Sequence, residues 1–190
     1  MTVPNPTTIL GKRDRALLEL LYGSGIRVTE CGRLSIADLD LSQGVLFVRN
    51  GKGRKDRVVP IAARAALALE KYLQEARPEL AKEPRETAVF LTVSGQRLLP
   101  AAIQRLVHEQ VEAAGLPVRV TPYSLRHGFA THMLQRGASI RHIQKLLGHS
   151  QVATTAIYTR VVPVDLKKTL DKAHPRERMW ARRKRRQQLK

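Results

Sequence analysis

Cysteine is almost absent from this sequence. Cys31 is the only one in 190 residues, which excludes an intramolecular disulfide and a zinc site built from several cysteines. The six histidines do not follow the spacing of known zinc motifs. We therefore expect no metal site, and the reducing cytoplasm is the simplest compartment for this chain.

Long apolar runs are also missing. No segment approaches the roughly 20 apolar residues that a membrane-spanning helix needs. The first residues, MTVPNPTTILGKRDR, lack the apolar core of a secretory signal. We expect no membrane partner. With 43% hydrophobic residues in a chain of 190, there is enough apolar material for one folded domain with a true core.

Acidic residues are scarce relative to basic ones. Lys and Arg number 34 against 16 Asp and Glu, a net charge of +18. Such an excess repels itself and favours a polyanionic partner. Nucleic acid is the leading candidate, and anionic lipid or protein is the alternative. Aromatic residues make up only 4%, too few for a platform that stacks single-stranded bases, so duplex DNA held through its phosphates fits better.

Motifs for nucleotide and two-metal chemistry are absent too. The Gly-Lys-Gly at residues 51–53 has neither the upstream glycine nor the following Ser or Thr of a phosphate-binding loop. No obvious acidic cluster could hold two magnesium ions. The sequence therefore predicts that the protein uses no cofactor.

What is present predicts a mainly helical fold with a small antiparallel β-sheet, of the α+β class. Two short β-rich runs, 44–49 and 58–61, flank a glycine turn at 50–54 and predict a hairpin with lysine at its tip. A further short strand is expected at 89–92. Apolar periodicity and Gly or Pro stops predict seven helices, at 13–22, 28–34, 62–76, 100–114, 121–135, 140–147 and 164–173.

The stretch TPYSLRHGFATH, residues 121–132, places three polar side chains at one helix start. Tyr123, Arg126 and His127 are spaced i, i+3 and i+4, so they can share one face of the helix. A guanidinium between two polar rings near a helix N-terminus suits an anion. An ordinary solvated face explains the same pattern, and this stretch alone does not decide between the two.

Four segments together resemble a known family. GSGIRVTE, GKGRKDRVVP, TPYSLRHGFATHML and LLGHSQVATTAIYTR, in this order and spacing over residues 12 to about 175, resemble the signature segments of the tyrosine recombinases, the phage-integrase family, and its Xer-type members in particular. The resemblance implies a tyrosine recombinase catalytic-domain fold. It implies an enzyme, a site-specific recombinase or integrase that cleaves and rejoins duplex DNA through a 3′-phosphotyrosine intermediate.

Matched position by position, the resemblance implies a nucleophile and two phosphate-binding residues. Tyr158 falls on the nucleophile, and Arg27 and Arg126 fall on the arginines that hold the scissile phosphate. The chemistry suits these residue types, because phosphoryl transfer is catalysed mainly by positioning and charge stabilisation. Arginine offers a permanently charged planar fork that can grip two oxygens.

The remaining matched positions complete the implied site. Lys52 falls on the hairpin lysine, His149 on the His/Trp position near the nucleophile, and Glu30 on an acidic position that supports the first arginine. A lysine on a hairpin can protonate the departing 5′ oxygen. Tyr123 departs from the family, because most members have His there. Our hypothesis is that Tyr123 donates a hydrogen bond to phosphate and that activity survives.

DNA contacts are expected beside this site. Arg54 and Lys55 lie in the same hairpin segment as Lys52, and Gln104 and Arg105 lie on a helix that could read a groove. The protein is expected to bind double-stranded DNA and to form a dimer or tetramer on it. Base-specific contacts do not follow from the sequence.

The expected organisation is a catalytic domain at 1–175 followed by a flexible basic tail at 176–190, RERMWARRKRRQQLK. Family members usually carry a helical N-terminal core-binding domain, which we expect to be absent from this chain. Two other functions stay open. One is a non-catalytic DNA-binding protein that keeps the fold, and the other is a topoisomerase-like enzyme that relaxes DNA by the same chemistry.

Overall fold

The computed structural model describes residues 4–49, 56–148 and 164–176, without the side chains of 164 and 165. Within these ranges the chain is mainly helical with one small antiparallel sheet, which confirms the expected fold class. The elements are α1 Ile9–Ser24, α2 Val28–Arg33, a 3₁₀ turn Ile36–Asp38, β1 Leu39–Asp40, β2 Val45–Val48, β3 Arg57–Pro60, α3 Ala63–Glu75, α4 Arg77–Leu80, α5 Pro100–Ala113, α6 Pro122–Gln135, α7 Ile140–Leu147 and α8 Val164–Ala173.

The sheet has the strand order β1-β2-β3, with both pairs antiparallel. Val45 pairs with Pro60 and Val48 with Arg57, so the two paired strands of the expected hairpin are confirmed, with the second strand one residue earlier than expected. The glycine turn expected at 50–54 lies outside the described residues. The edge strand β1 was not expected, because two residues carry no periodic signal. It pairs with β2 through Leu39 opposite Leu46.

Helix α1 is the centre of the core. Leu17, Leu20 and Leu21 are at most 1% exposed, and α1 packs along α3, whose Leu69 and Tyr72 are fully buried. Burial of each such side chain stabilises the fold by about 2 kcal/mol. The helix begins earlier than its apolar pattern predicted because the Thr8 hydroxyl accepts a hydrogen bond from the Gly11 amide at 3.0 Å and caps it.

Helices α6 and α7 follow the expected boundaries closely. Thr121 accepts a hydrogen bond from the Ser124 amide at 3.1 Å and so caps α6, with Pro122 in the first turn. Gly148 ends α7 at φ 63°, a left-handed conformation that suits glycine. Phe129 and Met133 direct α6 into the core.

Helix α8 packs onto its own chain, against α6, α7 and β3. Leu170 is fully buried, and Lys167 donates from Nζ to the Ile61 carbonyl at 3.1 Å. Just beyond the helix, the Arg176 Nη2 donates to buried Glu19 at 2.6 Å, and Arg64 Nε donates to the same carboxylate oxygen at 3.1 Å. One carboxylate on α1 therefore ties down α3 and the end of α8.

One local expectation was wrong. Residues 89–92 do not form a strand, since only isolated bridges occur there, Ser35 with Ala88 and Leu91 with Arg97. The chain after α3 continues into the short helix α4, which was not among the expected helices. Its Pro78 lies in the first turn, where a missing amide hydrogen costs nothing. Among the helices described, none is both long and apolar enough to span a bilayer.

Candidate active site

The first part of the site is the turn from α1 into α2. Gly25, at φ 65°, ends α1, and Arg27 precedes the first residue of α2. Glu30, one turn into α2, accepts from the Arg27 backbone amide at 2.8 Å and from the Arg27 Nη1 at 2.9 Å. The structure therefore places the Glu30 carboxylate in contact with Arg27, the residue that the family resemblance implied it would support.

Sequence reasoning missed the second partner of Glu30, which is Arg57 on β3. The guanidinium of Arg57 grips the carboxylate as a fork, Nη1 to Oε1 and Nη2 to Oε2, both at 2.8 Å. The two side chains are 12% and 7% exposed. Arg57 belongs to the quoted segment GKGRKDRVVP. That segment contains other basic residues, and no local sequence pattern distinguishes Arg57 from them.

Arg126 supplies a third guanidinium from α6, and it is buried, with only 9% of the residue exposed. Its Nη1 donates to the Gly25 carbonyl, and its Nη2 donates to the Leu147 carbonyl at 2.7 Å. Arg126 therefore joins the end of α1 to the end of α7. In the described ranges no carboxylate forms an ion pair with it.

Electrostatics link these groups into one cluster, which we call the Glu30 cluster: Arg27, Glu30, Arg57 and Arg126. Burial lowers the pKa of Arg126 to about 10, and the positive charges of Arg27 and Arg57 add to that lowering. Burial alone would raise the pKa of Glu30, but hydrogen bonds from Arg57 and Arg27 outweigh it and lower the pKa to about 2. Glu30 and Arg126 are therefore both charged at neutral pH.

The Glu30 cluster has a surplus of positive charge, three guanidiniums against one carboxylate, or +2. Four hydrogen bonds occupy the two oxygens of Glu30, so the carboxylate has no acceptor position left. Arg27 keeps 26% of its side chain exposed. An anion that bound here would relieve the mutual repulsion of the arginines, and a phosphodiester offers two non-bridging oxygens that a guanidinium can bind.

Tyr123 and Arg126 lie in different environments, although their spacing allows one shared helix face. Tyr123 is 78% exposed, and its ring lies nearly parallel to that of exposed His127, with centroids 6.5 Å apart and 9° between the planes. Burial lowers the pKa of Arg126, and nearby Tyr123 acts in the opposite direction. The stretch is therefore not a uniformly solvated face, since its arginine points inward.

Several expected site residues lie outside the described residues, so their roles stay predictions. These are Lys52, Arg54, Lys55, His149 and Tyr158. Gln104 and Arg105 lie on the exposed side of α5, where Arg105 approaches Glu109 at 3.6 Å. Their proposed DNA contacts also stay predictions.

Comparison with known proteins gives consistent results. The model of the phage integrase family matches residues 2–163. The chain is 48% identical over 172 residues to tyrosine recombinase XerC of Oceanobacillus iheyensis, covering 90% of this chain and 56% of that protein. It is 43% identical over 172 residues to tyrosine recombinase XerD of Listeria innocua, covering 90% and 57% respectively.

Solved structures share the fold. The crystal structure of XerA recombinase superposes with a TM-score of 0.68 at 36% identity, covering 86% of this chain and 59% of that one. The XerH site-specific recombinase bound to its difH substrate, a pre-cleavage complex, gives 0.64 at 28% identity, covering 87% and 48%. This chain spans less than two thirds of the length of each of these relatives.

Proposed function

The chain belongs to the phage integrase family, and from that premise we propose that it is a site-specific DNA recombinase that cleaves and rejoins duplex DNA through a phosphotyrosine. The observation that carries the proposal is the Glu30 cluster, whose surplus of +2 is gathered at the positions of two family arginines. The relatives, which are tyrosine recombinases XerC and XerD, support the same activity.

In the proposed reaction, the phenol of Tyr158 gives its proton to a neighbouring base as its oxygen attacks the scissile phosphorus. A phosphotyrosine ester forms on the 3′ side as the bond to the 5′ oxygen breaks, and Lys52 gives that oxygen its proton. Arg27 and Arg126 hold the non-bridging oxygens while negative charge builds on them. The new ester keeps the energy of the broken bond, so attack by a 5′ hydroxyl rejoins a strand.

The proposed partner is double-stranded DNA, and the net charge of +18 supports it. The XerH structure has its difH substrate bound. By analogy we propose that this chain acts on a specific duplex site as a dimer or tetramer. Because Arg176 pairs with Glu19, the basic residues at 177–190, which lie outside the described residues, would add the phosphate contacts. We also propose a cytoplasmic location, which agrees with a DNA substrate.

Covalent trapping tests this function directly. A pool of short nicked duplexes with randomised arms is incubated with the chain, since release of the fragment beyond the nick prevents religation. We expect a protein–DNA adduct that survives detergent, mapped by peptide mass to Tyr158, and no adduct with Tyr158→Phe. DNA binding without any adduct would contradict catalysis and favour the non-catalytic alternative.

A second arm separates recombination from DNA relaxation. The sites recovered from the adducts are placed on two distinguishable plasmids. We expect exchange of the flanking DNA between them. Relaxation of supercoils with no exchange of partners would contradict recombination and favour the topoisomerase-like alternative.

A further inference from the structure

We propose that Arg57 is a positioning residue for strand cleavage, a fixed brace that holds Arg27 and the end of α7 in register around one phosphate. The inference rests on the proposed function and extends it to a residue outside the set matched by sequence. Arg57 reaches three segments of the site at once: its own strand β3, the start of α2 through Glu30, and the residue that ends α7, Gly148.

The contact with α2 fixes the orientation of Arg27. Glu30 takes two hydrogen bonds from Arg57 and two from Arg27, so the carboxylate is saturated and cannot rotate freely. Arg27 spends its Nη1 on this carboxylate. Within the described residues no hydrogen bond involves its Nε or Nη2, so these groups and the second N–H of Nη1 remain as donors for an incoming oxyanion.

The contact with α7 is tight. A Cβ added at Gly148 would lie 2.8 Å from both Cζ and Nε of Arg57, so the guanidinium lies directly against this left-handed turn. The preceding carbonyl, that of Leu147, accepts the hydrogen bond from Arg126. The next residue in the sequence is His149. Arg57 therefore supports the backbone that holds Arg126, immediately before a residue expected at the site.

Stability alone does not explain Arg57. Its Nε is buried and has no hydrogen-bond partner among the described residues. Its charge also repels Arg126. A buried ion pair adds little net stability compared with well-packed apolar residues of similar volume. An arginine in this position costs desolvation and repulsion, and what it supplies in return is fixed geometry.

A pH profile distinguishes positioning from a purely structural role. Several charged or titratable groups face Glu30. Arg27 and Arg57 contact it, and its charge also acts on Arg126 and Cys31. The cleft of about 390 Å³ beside it is lined by Arg33, Asp38 and Arg49. Without Arg57 the main hydrogen bonds that lower the pKa of Glu30 are lost, so that pKa rises. Protonated Glu30 would then release Arg27 on the acid side.

The experiment measures adduct formation with the nicked duplexes recovered above, between about pH 5 and pH 8, together with DNA affinity. For Arg57→Met we expect a cleavage rate about 100-fold lower at neutral pH, nearly unchanged DNA affinity, and an acid limb displaced to higher pH. Arg57→Lys, which keeps the charge but loses the fork, should recover part of the rate and move the acid limb back.

The matched control is Arg64→Met, which removes an arginine from the other buried glutamate, Glu19. This variant should lose stability in urea and keep the wild-type pH profile. The inference is overturned if Arg57→Met retains the wild-type rate and profile, or if its loss matches its unfolded fraction. Absence of any wild-type adduct would instead overturn the proposed function, and the inference with it.

Discussion

Two buried glutamates in this protein are each gripped by two arginines, and only one of them belongs to the candidate site. The Oε1 of Glu19 accepts hydrogen bonds from Arg64 and from Arg176. Glu30 accepts four hydrogen bonds, two on each oxygen, from Arg27 and Arg57. Both carboxylates are at most 7% exposed in their side chains. The chemistry of the pairs is the same, but their surroundings differ.

The two glutamates differ in the charged groups that lie next to them. The Glu19 group joins α1 to α3 and to Arg176, which lies three residues beyond α8. The Glu30 cluster has an additional buried cation, Arg126, whose fork is satisfied by backbone carbonyls, and a partly exposed Arg27. The Glu19 salt bridges stabilise the fold by joining helices. The Glu30 cluster has a further guanidinium, Arg126, that no carboxylate among the described residues pairs with, and this excess positive charge suits an anion.

The largest effect is expected at Arg126. Arg126→Lys keeps the charge but replaces a two-pronged donor that reaches both the Gly25 and Leu147 carbonyls. We expect adduct formation to fall by about 10²–10³-fold, the usual loss when an oxyanion-stabilising donor is removed. Rates measured at saturating DNA check this. A variant that cleaves as fast as wild type would show that the fork geometry is unimportant.

Glu19→Gln should separate stability from chemistry. The change leaves Arg64 and Arg176 without their carboxylate, and breaking a buried pair in this way costs about 3 kcal/mol. Urea unfolding measures that loss. The cleavage rate of the folded fraction should equal that of wild type. A slower folded fraction would mean that the two arginine clusters are coupled.

Some features of the fold and of the Glu30 cluster could be predicted from the sequence, and others could not. The stop of α7 at Gly148 was predictable because a left-handed residue after an apolar helix favours glycine. The pairing of Glu30 with Arg27 was implied by family resemblance. Arg57 was missed because its partner lies 27 residues away and local patterns do not encode long-range ion pairs. The burial of Arg126 was also hidden, because helical spacing gives a side chain's direction and not its depth.

His174 should make stability depend on pH in the region away from the Glu30 cluster. It is fully buried beside Tyr22 and Phe129, and burial lowers its pKa from 6.5 to about 4. The unfolded chain therefore binds a proton that the folded chain refuses between these values. Stability is complete above pH 6.5 and declines as the pH falls toward 4.

We expect His174 to account for about 2 kcal/mol of the stability lost between pH 7 and pH 5. Urea unfolding of wild type and His174→Phe at both pH values measures this. The loss should be smaller by that amount in the variant. Glu30 does not contribute in this range, because its folded pKa of about 2 and ordinary pKa of 4.5 both lie below it. An equal loss in both proteins would contradict the assignment.

The smallest effect is expected at Tyr123. Because the side chain is 78% exposed, Tyr123→His should change the free energy of unfolding by less than about 0.5 kcal/mol. If a hydrogen bond to phosphate is all that this position supplies, cleavage should be equal or faster with His. The rate of adduct formation measures this. A large decrease would show that the site is adapted to the phenol.

The central claim is that the guanidinium charges of Arg27 and Arg126 act on one phosphate, and a neutral substrate tests it most directly. The scissile phosphate of a recovered site is replaced by a methylphosphonate, which has no negative charge to stabilise. We predict that Arg126→Gln, severely impaired on the natural phosphate, forms adduct on the neutral analogue at a rate close to that of wild type. Equal impairment of the variant on both substrates would contradict the account.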